Sequence, residues 1–155
     1  MTQRLLRDYT GSMSTADKGT GIWARLTARL HKPPPPLGAR GEAFAAKYLK
    51  KHGYSLVVRN RREGKGEIDL IVMDKENLVF VEVRTRARED FMTPEASIRA
   101  DKRKMVRQTV RRLIRKHRTA DLRPRIDVIA IIWPEGAKVP TELRHHKGVI
   151  PLNSW

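Results

Sequence analysis

Apolar residues recur at helical spacing through residues 39–51. Ala39, Ala43, Ala46 and Leu49 fall on one side with Tyr48 beside them, and Gly53 supplies a stop. Residues 54–58 then read as a strand, and residues 60–66, rich in Arg, Glu and Gly, as a polar turn. Two more strand patterns occupy residues 67–73 and 78–84. The turn residues at 74–77 leave so short a connection that an antiparallel hairpin is predicted. Thr93-Pro94-Glu95 predicts the start of a short helical turn. A longer helix follows over residues 101–117, with Met105 or Val106, Val110, Leu113 and Ile114 as its apolar stripe. Residues 125–133 form a strongly apolar strand ended by Pro134 and Gly136, and residues 142–152 add an edge strand. The order helix, three strands, helix, strand predicts a small α/β (α+β) domain.

Residues 1–36 stand outside this pattern and are expected to form a flexible leader. They are small and polar over residues 11–21 and stiffened by prolines at 33–36. Within them, residues 22–30 can make two helical turns with Leu26 and Leu30 on one side. Residues 37–155 are the expected folded domain, and a chain of 155 residues favours one compact core.

Charge narrows the partners. There are 33 Lys+Arg against 17 Asp+Glu, a formal charge of +16. Beyond Pro36 the balance is still 27 basic to 15 acidic residues, so the excess belongs to the expected domain. Such a field favours nucleic acid, anionic lipid or another acidic partner. Residues 99–118 hold ten Lys+Arg and one aspartate, a helix that can follow a phosphate backbone without reading bases. The absence of cysteine excludes disulfides, thiolate catalysis and cysteine-ligated metals, and fits a reducing cytosol. No secretory pattern opens the sequence, and the apolar runs are broken by charge too soon to span a bilayer. A cytoplasmic protein without stable membrane insertion is therefore expected.

Three carboxylates sit inside strand patterns: Asp69, Glu82 and Asp127. A buried carboxylate needs a basic partner, a metal or solvent at a cleft. Alternation puts Glu82 and Arg84 on one face, and Val79, Val81 and Val83 on the other. Across the hairpin, Asp69 can approach Glu82, and a divalent cation is the simplest way to hold two such groups together. Oxygen ligands suit Mg2+ or Mn2+. Asp127 reads instead as the structural partner of an arginine. His145 and His146 are adjacent and point oppositely in a strand, which does not favour a paired metal site.

The spacing of Asp69 and Glu82-x-Arg84 resembles the Asp…Glu-x-Lys core of restriction-endonuclease-like nucleases. More narrowly, residues 37–133 resemble the small bacterial YraN-like family of candidate endonucleases, whose fold is similar to archaeal Holliday-junction resolvases. The residues that carry the resemblance begin with Gly41-Glu42, Gly53-Tyr54, Asn60-Arg61 and Gly66-Glu67-Ile68-Asp69-Leu70-Ile71. They continue with Val79-Phe80-Val81-Glu82-Val83, Thr85-Arg86, Lys102 and Ile126-Asp127-Val128. The resemblance implies a mixed central sheet flanked by helices, with Asp69, Glu82 and the Val83 carbonyl as metal ligands. Glu42 would join them, directly or through water. It also implies branched or flapped DNA as substrate, cut to a 5′ phosphate and a 3′ hydroxyl, and a homodimer acting on paired strands.

Arg84 stands where the motif has lysine. Arginine stays protonated and presents a broad planar fork, so it cannot serve as a general base, although it can orient water or stabilise phosphate charge. Two accounts remain. In one, catalysis survives with Arg84 in an electrostatic role and Lys102 as a migrated lysine. In the other, the fold keeps its groove as a weak or inactive nucleic-acid-binding protein. Arg40, Arg61, Arg86, Lys102, Arg103, Arg107 and Arg111 are the expected nucleic-acid contacts. A third function, a protein-interaction module, would use Trp23, Leu26 and Leu30 of the leader.

Overall fold

The computed structural model describes residues 34–75, 77–88, 98–117 and 122–152. Helix α1 (Leu37–Lys51) leads into strands β1 (Ser55–Glu63), β2 (Gly66–Asp74) and β3 (Asn77–Arg86). Helix α2 (Ala100–His117) is followed by β4 (Arg123–Ile132) and β5 (Glu142–His146). Residues 1–33 and Thr93-Pro94-Glu95 lie outside the described residues, and with them all but the last three residues of the expected leader, and the short helical turn.

The five strands form one sheet in the order β1-β2-β3-β4-β5. β1, β2 and β3 are antiparallel neighbours, as the short turns dictate. β3 and β4 are parallel, which requires a crossover, and α2 lies on that connection. β5 closes the far edge antiparallel to β4. On one face, Ala45, Ala46 and Leu49 of α1 cover Leu70, Val72, Val79, Val81, Ile129 and Ile131. On the other, Val106, Val110 and Leu113 of α2 cover Ile71, Phe80, Ile126 and Val128. β3 and β4 are buried on both faces, which is why they read as nearly continuous apolar runs. A mixed sheet flanked by helices in this way is consistent with the restriction-endonuclease-like architecture. Among the described residues no helix is long and apolar enough to cross a membrane.

Each helix approaches the sheet over a glycine. A Cβ at Gly41 of α1 would overlap Thr85 Oγ1 on β3, and one at Gly66 of β2 would overlap Thr109 Oγ1 on α2. Gly41 precedes Glu42 and Gly66 opens the Glu67–Asp69 stretch, so both close approaches border the acidic residues of interest.

Two boundaries differ from the sequence expectation, and one open choice is resolved. β1 continues to Glu63, and the turn shrinks to Gly64 and Lys65, with Gly64 at φ 61°. As an edge strand largely open to solvent, β1 accommodates Asn60, Arg61 and Arg62 without burying them. In α2, Val106 takes the core position while Met105 is 40% exposed. At the C-terminal side, β5 stops at His146, and Ile150 folds back into the α2-side core.

Asp127, fully buried in β4, is satisfied on both oxygens. Arg125 donates through Nε to Oδ1 (2.8 Å) and through Nη2 to Oδ2 (3.0 Å). The Gly148 N–H donates to Oδ1 at 2.9 Å, and His145 Nε2 lies 2.8 Å from Oδ2. Burial alone would raise this carboxyl, but the bonds from His145, Arg125 and Gly148 outweigh it and hold it below its ordinary value. The expected arginine partner is thus present, and the group ties β4 to β5 and the turn beyond.

Gly41→Ala is expected to destabilise the protein by about 1–3 kcal/mol through overpacking against Thr85, although alanine is the better helix former. Urea unfolding measures it; an unchanged or raised midpoint would show that the close approach does not matter. Asp127→Asn should cost roughly 3 kcal/mol at neutral pH. Because the folded pKa lies below the unfolded one, the carboxylate's contribution is complete above the unfolded value. It fades as pH falls through the folded value. The gap between parent and variant in pH-dependent melts should therefore narrow in acid, and a constant gap would refute the linkage.

Candidate functional site

The β2–β3 ladder ends at the Leu70–Val81 pair. One residue earlier on β2, Asp69 takes over from the backbone: its Oδ2 accepts the Val83 N–H at 2.7 Å. A strand residue turns its N–H and C=O to the same edge, so the Val83 carbonyl also faces this gap. On β3, Glu82 is only 4% exposed and faces α2, opposite Val81 and Val83, which pack toward α1. Lys102, in the first turn of α2, brings Nζ to 2.9 Å from Glu82 Oε1, and Arg84 Nη2 lies 3.4 Å from the same oxygen. Glu82 Oε2 is buried without a partner among the described residues, as is Arg84 Nε.

Charge at this centre is unbalanced. Burial and the neighbouring Asp69 push the Glu82 carboxyl above its ordinary value, against the opposing pull of Lys102 and Arg84. Asp69 is likewise raised by burial, which outweighs its bond from Val83 and the fields of Lys102 and Arg84. Glu42, half-buried on α1, is raised by burial and by Asp69. It lies in the second turn of α1, and the first turn holds no acid, so it is not a residue that complements the positive helix end.

The donor set fits a hard divalent cation. Two oxygen-bearing side chains repel, a backbone carbonyl is directed between the strands, and one carboxylate oxygen has no partner. Among the described residues, no three His, Cys, Asp or Glu side chains form a ready three-residue cluster. The fit therefore rests on Asp69, Glu82 and the Val83 carbonyl, with Glu42 near Asp69.

The expected nucleic-acid contacts fare differently from one another. Arg40 lies with its guanidinium 4.2 Å from the Trp133 ring centroid and donates to the Ala137 carbonyl at 2.9 Å. Arg103 donates to the Ile98 carbonyl and Arg111 to the Leu152 carbonyl, while Arg61 Nη2 is 3.4 Å from His117 Nε2. Lys102 is held by Glu82. Arg86 is exposed at the end of β3, and Arg107 is half-buried on α2. Asn60 is the residue the sequence reading placed in a turn and gave no site role. It adopts φ 49° within β1, between the Arg59–Leu70 and Arg61–Ile68 pairs, and its side chain opposes the rise of the Glu42 carboxyl. An asparagine tolerates that left-handed backbone. Its place beside Arg61 was visible in the sequence; its influence on a residue of α1 was not.

Asp69→Asn keeps an acceptor for the Val83 N–H but removes one of the repelling charges. Without metal it should melt higher than the parent, by about 0.5–2 kcal/mol in stability, the gain usual when a strained functional site is relaxed. Mn2+ should raise the parent's melting temperature and leave that of Asp69→Asn unmoved. Equal shifts in both proteins would show that the cation binds elsewhere.

A model described as "Uncharacterised protein family UPF0102" matches residues 41–131. A UPF0102 protein of Solibacter usitatus is 37% identical over 123 residues, covering 77% of this chain and 93% of the relative. One of Geotalea uraniireducens is 39% identical over 116 residues, 75% of this chain and 90% of the relative. One of Desulfosudis oleivorans is 39% identical over 94 residues, 61% and 76% of the two chains. The matched span nearly coincides with the region that resembles the YraN-like family, and on these matches the chain belongs to the UPF0102 family.

Proposed function

We propose that the chain is a Mg2+- or Mn2+-dependent endodeoxyribonuclease of the cytosol, acting on branched or flapped DNA. The observation that carries this reading is the half-buried Asp69 beside the buried Glu82 at the gap between β2 and β3, with raised carboxyls and an unpartnered Glu82 oxygen. Asp69, Glu82 and the Val83 carbonyl would hold the cation, with Glu42 joining directly or through water. A divalent ion bound there makes a water nucleophilic at neutral pH and neutralises charge on the phosphate.

The protein's own groups do the rest. Lys102, 2.9 Å from Glu82 Oε1, occupies the role left open by the absent motif lysine and orients the attacking water. Arg84 presents a guanidinium, which contributes charge to the phosphate in the transition state. The water oxygen bonds phosphorus as the bond to the 3′ oxygen breaks. The proton lost by the water goes to solvent and the 3′ oxygen takes one from solvent, leaving a 3′ hydroxyl and a 5′ phosphate. A homodimer would place two such centres on paired strands.

A second reading has its own support. Arginine at position 84, and the absence of a three-residue metal cluster among the described residues, favour a weak or silent nucleic-acid-binding protein on the same fold. End-labelled duplex, single-stranded, flap and four-way-junction DNA, incubated with Mg2+ or Mn2+, separate the two. Cuts by the parent that fall at least a hundredfold in Asp69→Ala support the nuclease. Binding without cuts supports the second reading. Lys102→Ala with full cleavage, beside an inactive Arg84→Ala, would remove Lys102 from the mechanism.

A further inference from the structure

We propose that the groove between α1 and β1 is a phosphate-backbone track that leads a nucleic-acid strand to the carboxylate centre. The inference rests on the nucleic-acid reading above and assigns residues that reading does not use. The groove, of about 660 Å3, is lined by Lys47 and Lys50 of α1 and by Ser55, Leu56 and Arg59 of β1, with Tyr54 between the two elements. Lys47 and Lys50 are three residues apart and so share a side of the helix. Both are exposed, and among the described residues neither side chain meets a partner. Most of the cations first expected to meet nucleic acid are instead committed within the protein: Arg40, Arg61, Lys102, Arg103 and Arg111 each touch another group.

The track runs along β1 toward the site, where Arg59 pairs with Leu70, the neighbour of Asp69 on β2. Along α1, Lys47 and Lys50 lie roughly 7 and 12 Å from Glu42, taking about 1.5 Å per residue. Phosphates in one strand of a duplex are spaced about 3.4 Å along the axis, so the lysines match positions roughly two and four nucleotides from the centre. The ligand is therefore a polyanion with regular spacing, read by charge and not by base edges. Lys50 also complements the carbonyl end of α1, whereas Lys47 precedes the last turn and Arg59 belongs to a strand. A helix-end role thus does not account for the set.

Fluorescence anisotropy of labelled flap and single-stranded DNA, with the full chain in EDTA and over a range of NaCl, tests the track without catalysis. Lys47→Ala/Lys50→Ala should bind roughly tenfold more weakly, with a log affinity–log salt slope shallower by about 1.5. Lys47→Ala alone should show about half that change in slope, and Lys138→Ala, an exposed lysine beyond β4, almost none. Melting temperatures and the Mn2+-induced melting shift should stay at parental values. A double variant that binds like the parent, or loses no more than Lys138→Ala, overturns the track while leaving nucleic-acid binding intact. A parent that binds no DNA overturns the nucleic-acid reading itself.

Discussion

Burying Glu82 in a central strand is the constraint around which this protein is arranged. A charge with almost no access to water demands compensation, and β3 cannot supply enough of it alone. Arg84 approaches from the same strand, while Lys102 has to be delivered by α2. That delivery follows from the parallel β3–β4 pair, since a parallel neighbour requires a crossover and the crossover contains the helix. Asp69 then adds a second negative charge from β2. It is held by the Val83 N–H beyond the last regular pair of the hairpin.

The comparison with Asp127 separates structural from functional burial. Both carboxylates lie in adjacent strands of the same sheet, and both are almost free of solvent. Asp127 has donors on each oxygen and its carboxyl is held low. Glu82 shares one oxygen between two cations, leaves the other unpartnered, and is held high by burial and by Asp69. The first arrangement is closed and contributes to cohesion. The second leaves ligand capacity unused, which is the physical sense in which a site differs from a salt bridge.

Much of the architecture was legible because burial imposes a period. The helical spacing around Ala46 and Leu49, the apolar runs of β3 and β4, and the short turn at 74–77 all have local causes. So did the facing of Glu82 and Arg84 away from Val81, and the assignment of Asp127 to an arginine. The edge strand was less legible. β1 buries little, so Asn60 to Glu63 gave no alternation to follow, and a turn was the natural reading of their polarity. Charge was the least legible of all. Arg40 resembles any exposed basic residue in the sequence, yet its guanidinium bonds a carbonyl 97 positions away and stacks on Trp133.

Composition, periodicity and the placement of three acids in apolar runs determined the elements, the hairpin and the identity of the central carboxylates. Each of those follows from interactions between near neighbours or from the need to bury one face. Tertiary structure alone decided that Asn60 acts on Glu42, that Lys102 reaches Glu82, and that Lys47 and Lys50 face the groove beside β1. The reason is physical. A charged side chain is long and can satisfy itself in many ways, so its partner is selected by the packing of elements distant in sequence.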